Sequence, residues 1–230
     1  MSLEYRIDYA GSHPMVTILL DSEQSVRVEP GAMIGMSPNI ELTSTQPGGL
    51  HGLIVKRPDQ PERRMRFQML YTARGGSGQL MLSPGFPGEI YAMELNNHSL
   101  LVQSYCLLAC DTNLEVDEEV PNGGLFFSPE GRRAEQYLVR VQGTGVLLLS
   151  SFGASHLHSL GAGERFLMDT SHVMAFESRI GYQVRQAASE LWLRLASAEG
   201  LVAEFEGPGE VLVQTRNLSA LSDRLRPFQA

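Results

Sequence analysis

Apolar and polar positions alternate along this chain in short runs. MVTILL (Met15–Leu20), GQLMLS (Gly78–Ser83), EIYAMEL (Glu89–Leu95), QYLVRV (Gln136–Val141), LVAEF (Leu201–Phe205) and EVLVQT (Glu210–Thr215) are examples. A period of two places successive side chains on opposite faces of an extended chain, so each run predicts a strand. Glycine, proline, asparagine and serine punctuate the runs. Evenly spaced short strands of this kind predict an all-β fold of the double-stranded β-helix or sandwich type. Helical spacing occurs once, in NLSALSDRLRPF (Asn217–Phe228). There Leu218, Leu221 and Leu225 fall on one face, and Asn217 or Ser219 could cap a short C-terminal helix.

The runs belong to a larger pattern. RVEPGAMIGMSPNIEL (Arg27–Leu42), LVQSYCLLACDTNLEV (Leu101–Val116) and LMDTSHVMAFESRIGY (Leu167–Tyr182) align without a gap. A second landmark, G-x-G followed by apolar alternation, recurs as GSGQLMLS (Gly76–Ser83), GTGVLLLS (Gly143–Ser150) and GPGEVLVQT (Gly207–Thr215). The two landmarks take turns along the chain, which predicts three repeats of about 65–75 residues within a single domain. Their approximate bounds are 1–75, 76–142 and 143–216, followed by a tail, 217–230. Each G-x-G lies between two strand-like runs and is expected to be a hairpin connection with a glycine at positive φ. A glycine- and proline-punctuated stretch, Thr43–Glu62, has no counterpart in the other two copies and reads as an inserted loop.

Composition narrows the function classes. At 230 residues and 43% hydrophobic, the chain can bury a substantial core. A net charge of −8 disfavours bulk attraction to nucleic acid or to an anionic membrane surface. No apolar run approaches the ~18 residues of a membrane span, and the first residues lack the pattern of a secretory signal. Together with only two cysteines, this predicts a cytoplasmic protein with free thiols.

Four groups of residues are candidates for chemistry. Lys56, Arg57, Arg63, Arg64 and Arg66 form a basic cluster in the Gly48–Arg66 loop. Such a cluster could bind an anionic ligand, a lipid headgroup or RNA, and equally could be a solvated loop. HLHSLGAGE places His156 and His158 on one face of a strand ahead of Glu164, as in the metal motif of cupins. The gap to the glutamate is longer than in that motif and no histidine follows His172, so the polar face of a strand is the simpler reading. His172 with Asp169 or Glu177 could be read as a base, though no spacing argues for a catalytic triad. Cys106 and Cys110 lie four residues apart in one predicted strand. That separation is about 13 Å, too far for a disulfide, and the apolar stripe around them predicts packing. Neither a dinucleotide fold nor a P-loop fits the G-x-G turns, and no cofactor is expected.

Several stretches together are similar to one family. They are EPGAM with the MSPNI strand (Glu29–Ile40), GGLHGL with KR (Gly48–Arg57), PGEI (Pro87–Ile90) and EGLVAEFEGPGEVLVQTRN (Glu199–Asn217). The chain resembles the altered-inheritance-of-mitochondria 24 family, whose bacterial members have no known function. The resemblance implies a β fold of three repeats, related to the tryptophan-RNA-binding attenuation protein. It also implies assembly as a homotrimeric ring and no enzyme activity. After GGLHGL this chain reads KRPDQPERRMRF, where relatives usually continue K-R-x-L-x-G-E-S-L-F. The expectation is therefore a non-catalytic, homo-oligomeric β-scaffold or interaction protein. The alternatives are an anion-binding module acting through the Gly48–Arg66 loop, with peripheral membrane contact or RNA among its forms, and a cupin-like metal-dependent enzyme at His156 and His158.

Overall fold

The computed structural model describes residues 2–11, 13–44, 69–117, 120, 126, 137–186 and 201–225. Among them the chain is all-β apart from short 3-10 turns and one helix. The strands are β1 (Glu4–Asp8), β2 (Met15–Leu20), β3 (Ser25–Val28), β4 (Met33–Met36), β5 (Ile40–Ser44), β6 (Met69–Ala73) and β7 (Gly78–Leu82). They continue with β8 (Ile90–Gln103), β9 (Leu107–Asp111), β10 (Leu114–Asp117), β11 (Leu138–Ser150), β12 (Ser155–Leu160) and β13 (Arg165–Asp169). The last are β14 (Val173–Glu177), β15 (Gly181–Gln186), β16 (Leu201–Glu206) and β17 (Gly209–Gln214), before helix α1 (Leu218–Leu225).

Residue proximity divides the chain into two compact units. One comprises Met1–His98, Tyr105–Val116 and Gln142–Ser151. The other comprises Ser99–Ser104, Asp117–Val141 and Phe152–Ala230. In the first unit, one sheet has the order β1-β2-β7-β4, and β9, β3, β6 and β5 follow in order from the second half of β11. Alternation decides which faces meet. Val16, Ile18 and Leu20 of β2 and Leu80 and Leu82 of β7 are buried against Val26 and Val28 of β3, Tyr71 of β6 and Leu148 of β11. In the second unit, β17 lies between β12 and β14, and β16 lies between β13 and β15. Their shared core holds Leu160, Met168, Val173, Ala203, Phe205 and Val211. Phe126, Phe176, Tyr182 and Phe205 form an aromatic cluster, with Phe176 5.0 Å from Tyr182 and 5.1 Å from Phe205 in edge-on contact. Such pairs add about 0.5–1.5 kcal/mol beyond burial.

The three aligned segments form three matching ladders. Met33, Gly35 and Met36 of β4 pair with Leu82, Met81 and Leu80 of β7. Leu107, Ala109 and Cys110 of β9 pair with Leu149, Leu148 and Leu147 of β11. Val173, Ala175 and Phe176 of β14 pair with Val213, Leu212 and Val211 of β17. Each ladder carries a register shift at the same point.

The G-x-G landmarks correct one expectation, because none of them closes a hairpin. Gly76–Gly78 joins β6 to β7, which belong to different sheets, and Gly207–Gly209 does the same for β16 and β17. Gly143–Gly145 lies inside the continuous strand β11. Close approach accounts for the third glycine of each triplet. A Cβ on Gly78 would sit 2.9 Å from Ile40, one on Gly145 2.7 Å from Asp111, and one on Gly209 3.0 Å from Ile180. These distances are shorter than normal contact, so a side chain there would displace a buried neighbour.

Candidate functional site

Cys106 and Cys110 are buried, and neither forms a disulfide. The two do not share one strand as the sequence predicts: Cys106 ends a 3-10 turn, and Cys110 sits in the middle of the β3·β9 ladder, opposite Arg27. Burial pushes the Cys110 thiol up to about 12, although the Arg27 guanidinium pulls the other way. Burial, with help from Glu29, raises Cys106 as well. A thiol needs a depressed pKa to act as a nucleophile or metal ligand, so both act as small core side chains.

Both ring nitrogens of His172 are occupied. Nδ1 lies 2.7 Å from the carbonyl oxygen of Gln214, which can only accept, so Nδ1 carries the proton. Nε2 then accepts from the side-chain amide of Asn217 at 2.8 Å. The Asn217 side-chain oxygen accepts from Ala220 N–H at 2.7 Å, which makes it the cap of α1. His172 therefore anchors the helix start. Asp169 accepts from Ser171 N–H at 2.9 Å, and Glu177 pairs with Arg179.

His156 and His158 project from β12, opposite Val213 and Val211 of β17. Their ring centroids are 6.3 Å apart, and His158 packs 4.4 Å from the ring of Phe166. Nε2 of His158 is buried and has no hydrogen-bond partner among the described residues. Glu164 is held elsewhere, accepting from Gly161 N–H at 2.8 Å within its own turn. Among the described residues, no three His, Cys, Asp or Glu side chains gather as a metal would require. Lys56, Arg57, Arg63, Arg64 and Arg66 lie outside the described residues.

Two features of the sequence pattern emerge only from the ladders. Asp111, 2% exposed, receives the N–H of Leu3 at 3.2 Å and of Val146 at 3.0 Å. Its aligned counterpart Ser37 receives the N–H of Gln79 at 2.9 Å, the position aligned with Val146. The second feature is apolar exposure. Met33, Ile34 and Met36 of β4 and Phe166 and Leu167 of β13 are large hydrophobic residues open to solvent. The GAMIGMS run carried that signal, but composition alone reads it as core.

The comparisons with known proteins rest on this background. The family profile described as "Mitochondrial biogenesis AIM24" matches residues 5–216. The chain belongs to the AIM24 family. One relative, an uncharacterized protein of Streptococcus pyogenes serotype M6, is 26% identical over 233 residues, covering 98% of this chain and 91% of that protein. A crystal structure of a Streptococcus pyogenes protein, determined by a structural-genomics consortium, matches with a TM-score of 0.78. It is 26% identical and covers 98% of this chain and 99% of that one. An AIM24 chain thus shares its fold end to end with a solved structure. Among the described residues, no helix of this AIM24 protein is long and apolar enough to cross a membrane.

Proposed function

We propose that this AIM24 protein is a non-catalytic, cytoplasmic β-scaffold built from three repeats that works as a homo-oligomer, a trimer in its simplest closed form. One observation carries the reading. β4 leaves exposed the residues that its aligned strands β9 and β14 bury: Ile34 is 54% exposed, while Leu108 and Met174 are at 0%. Exposed apolar strands are a liability that folded proteins cover, and self-association covers one without any second gene product. The recurrence of one ladder register in three places supports the repeat. The polar capture at Ser37 and Asp111 and the close glycine contacts at Ile40, Asp111 and Ile180 support it as well. A histidine with both ring nitrogens engaged, His172, and two thiols buried in the core fit a chain without catalytic duty.

Light scattering on the purified protein tests the reading. The expected mass is three times the 25.3 kDa chain. A 25.3 kDa particle at micromolar concentration would overturn self-assembly, and turnover of a substrate dependent on His156 or His158 would overturn the non-catalytic part.

A further inference from the structure

Strands of the same kind pair with each other twice in this chain, and the register repeats. β3 runs antiparallel to β9 with Val28 opposite Ala109, Arg27 opposite Cys110 and Val26 opposite Asp111. β8 runs antiparallel to β14 with Val102 opposite Ala175, Leu101 opposite Phe176 and Leu100 opposite Glu177. Under the gap-free alignment, Val28, Val102 and Met168 are equivalent, and so are Gly35, Ala109 and Ala175. The first segment of one repeat therefore pairs with the second segment of the next, in the same register both times. Two members of the set are left over. They are β13, whose ladder among the described residues is with β16, and β4, whose ladder among them is with β7.

Among the described residues, these two strands carry most of the exposed large apolar side chains. Met33, Ile34 and Met36 are 39%, 54% and 39% exposed on β4, and Phe166 and Leu167 are 44% and 39% exposed on β13. The equivalents of the β4 residues on β9 and β14 are buried, and so are Val26 and Leu100, the equivalents of Phe166.

We infer that β13 of one copy pairs antiparallel with β4 of the next, with Met168 opposite Gly35, Leu167 opposite Met36 and Phe166 opposite Ser37. The junction rests on the scaffold reading and specifies its interface. It is heterologous, since each copy offers a different strand on each side, and such contacts build rings or open chains rather than twofold dimers. It continues across chains the register already used twice within one, and it buries the exposed Met and Leu pair in the position that Arg27–Cys110 and Leu101–Phe176 occupy.

Cross-linking decides it. Met36→Cys and Leu167→Cys are made singly and together, and mild oxidation is followed by a non-reducing gel. The native thiols are buried and stay silent. The double variant is expected to give covalent dimers and trimers, because opposed residues in a ladder lie within disulfide reach, and each single variant is expected to stay at one chain. Dimers from Met36→Cys alone, or a band from the double variant that is cross-linked yet no larger than one chain, overturn the junction while leaving the scaffold intact. A wild-type protein that is monomeric overturns both. As a check independent of oxidation, Met36→Lys and Leu167→Glu each lower the assembled fraction at least tenfold, and combining both changes in one chain, so that every junction sets Lys against Glu, restores it. No recovery in the double variant overturns the pairing.

Discussion

Replacing Asp111 with alanine measures how the same hydrogen bond changes with burial. The Asp111 carboxylate receives the buried N–H groups of Leu3 and Val146 on one oxygen, Oδ2. Alanine leaves both donors in the core without an acceptor, at about 1–3 kcal/mol each. The expected loss is therefore about 2–6 kcal/mol, a large part of the ~5–15 kcal/mol available to a domain. Asparagine keeps an oxygen in the same place and gives up only the charge assistance, about 1–2 kcal/mol. Ser37 makes the matching bond to Gln79 N–H in a solvent-exposed setting, where water can replace it. Ser37→Ala should therefore cost no more than about 1 kcal/mol. Urea unfolding followed by circular dichroism gives all three values from the shift in midpoint at a common slope. If Asp111→Ala unfolds the chain outright, Asp111→Asn against Ser37→Ala still orders the series. Equal losses for Asp111→Ala and Ser37→Ala, to within about 0.5 kcal/mol, would refute the claim that burial sets the cost.

Gly78→Ala pushes a methyl to 2.9 Å from Ile40 Cγ1 and should cost about 1–3 kcal/mol, and its loss should not add to that of Ile40→Ala in the double variant, because Ile40→Ala removes both touching carbons; a neutral result would mean the contact is slack. Cys106 and Cys110 should resist a thiol reagent at pH 8 in the native state and react at once in urea, and native modification within minutes would contradict their burial. Both thiols stay protonated in the fold while an unfolded thiol ionises near 9.0, so the unfolded chain loses protons first and stability falls as pH rises above that value. The slope is about 1.4 kcal/mol per pH unit per thiol, and a Cys106→Ala/Cys110→Ala chain should show a shallower decline in alkaline urea melts. Asn217→Ala removes the cap of α1 and the partner of His172 Nε2, and should cost about 1 kcal/mol, seen as faster amide exchange at Leu221 with the sheets unaffected.

Most strands were legible because burial writes a period of two into the chain. LVAEFE is a clear case: Leu201, Ala203 and Phe205 are buried and the residues between them are not. The helix was legible from leucine spacing and its asparagine cap. Continuity was not. The sequence suggests breaks at Asn96–Asn97 and at Gly143–Thr144–Gly145, yet β8 and β11 run straight through both. The reason lies across the ladder, where Asn97 N–H donates to Thr144 Oγ1 at 3.1 Å, so each irregularity accommodates the other. Local turn chemistry cannot report a partner 47 residues away. The G-x-G triplets misled for the same reason, since glycine there answers a neighbour's bulk rather than a turn. The cysteines were read correctly as packing, because the aligned apolar stripe is a property of the sequence itself. The exposure of β4 was invisible for the converse reason: its residues look like those of β9 and β14, and only pairing tells them apart.

The two compact units interleave along the chain, each assembled from three separate stretches. Cutting after the nominal first repeat would strip the first unit of Leu108 and Ala109, of Val146 and Leu148, and of the Asp111 acceptor. No single cleavage yields either unit whole. Dissection of this protein therefore has to proceed by substitution rather than by truncation, and a fragment that loses a binding activity would report an incomplete core before it reported a missing site.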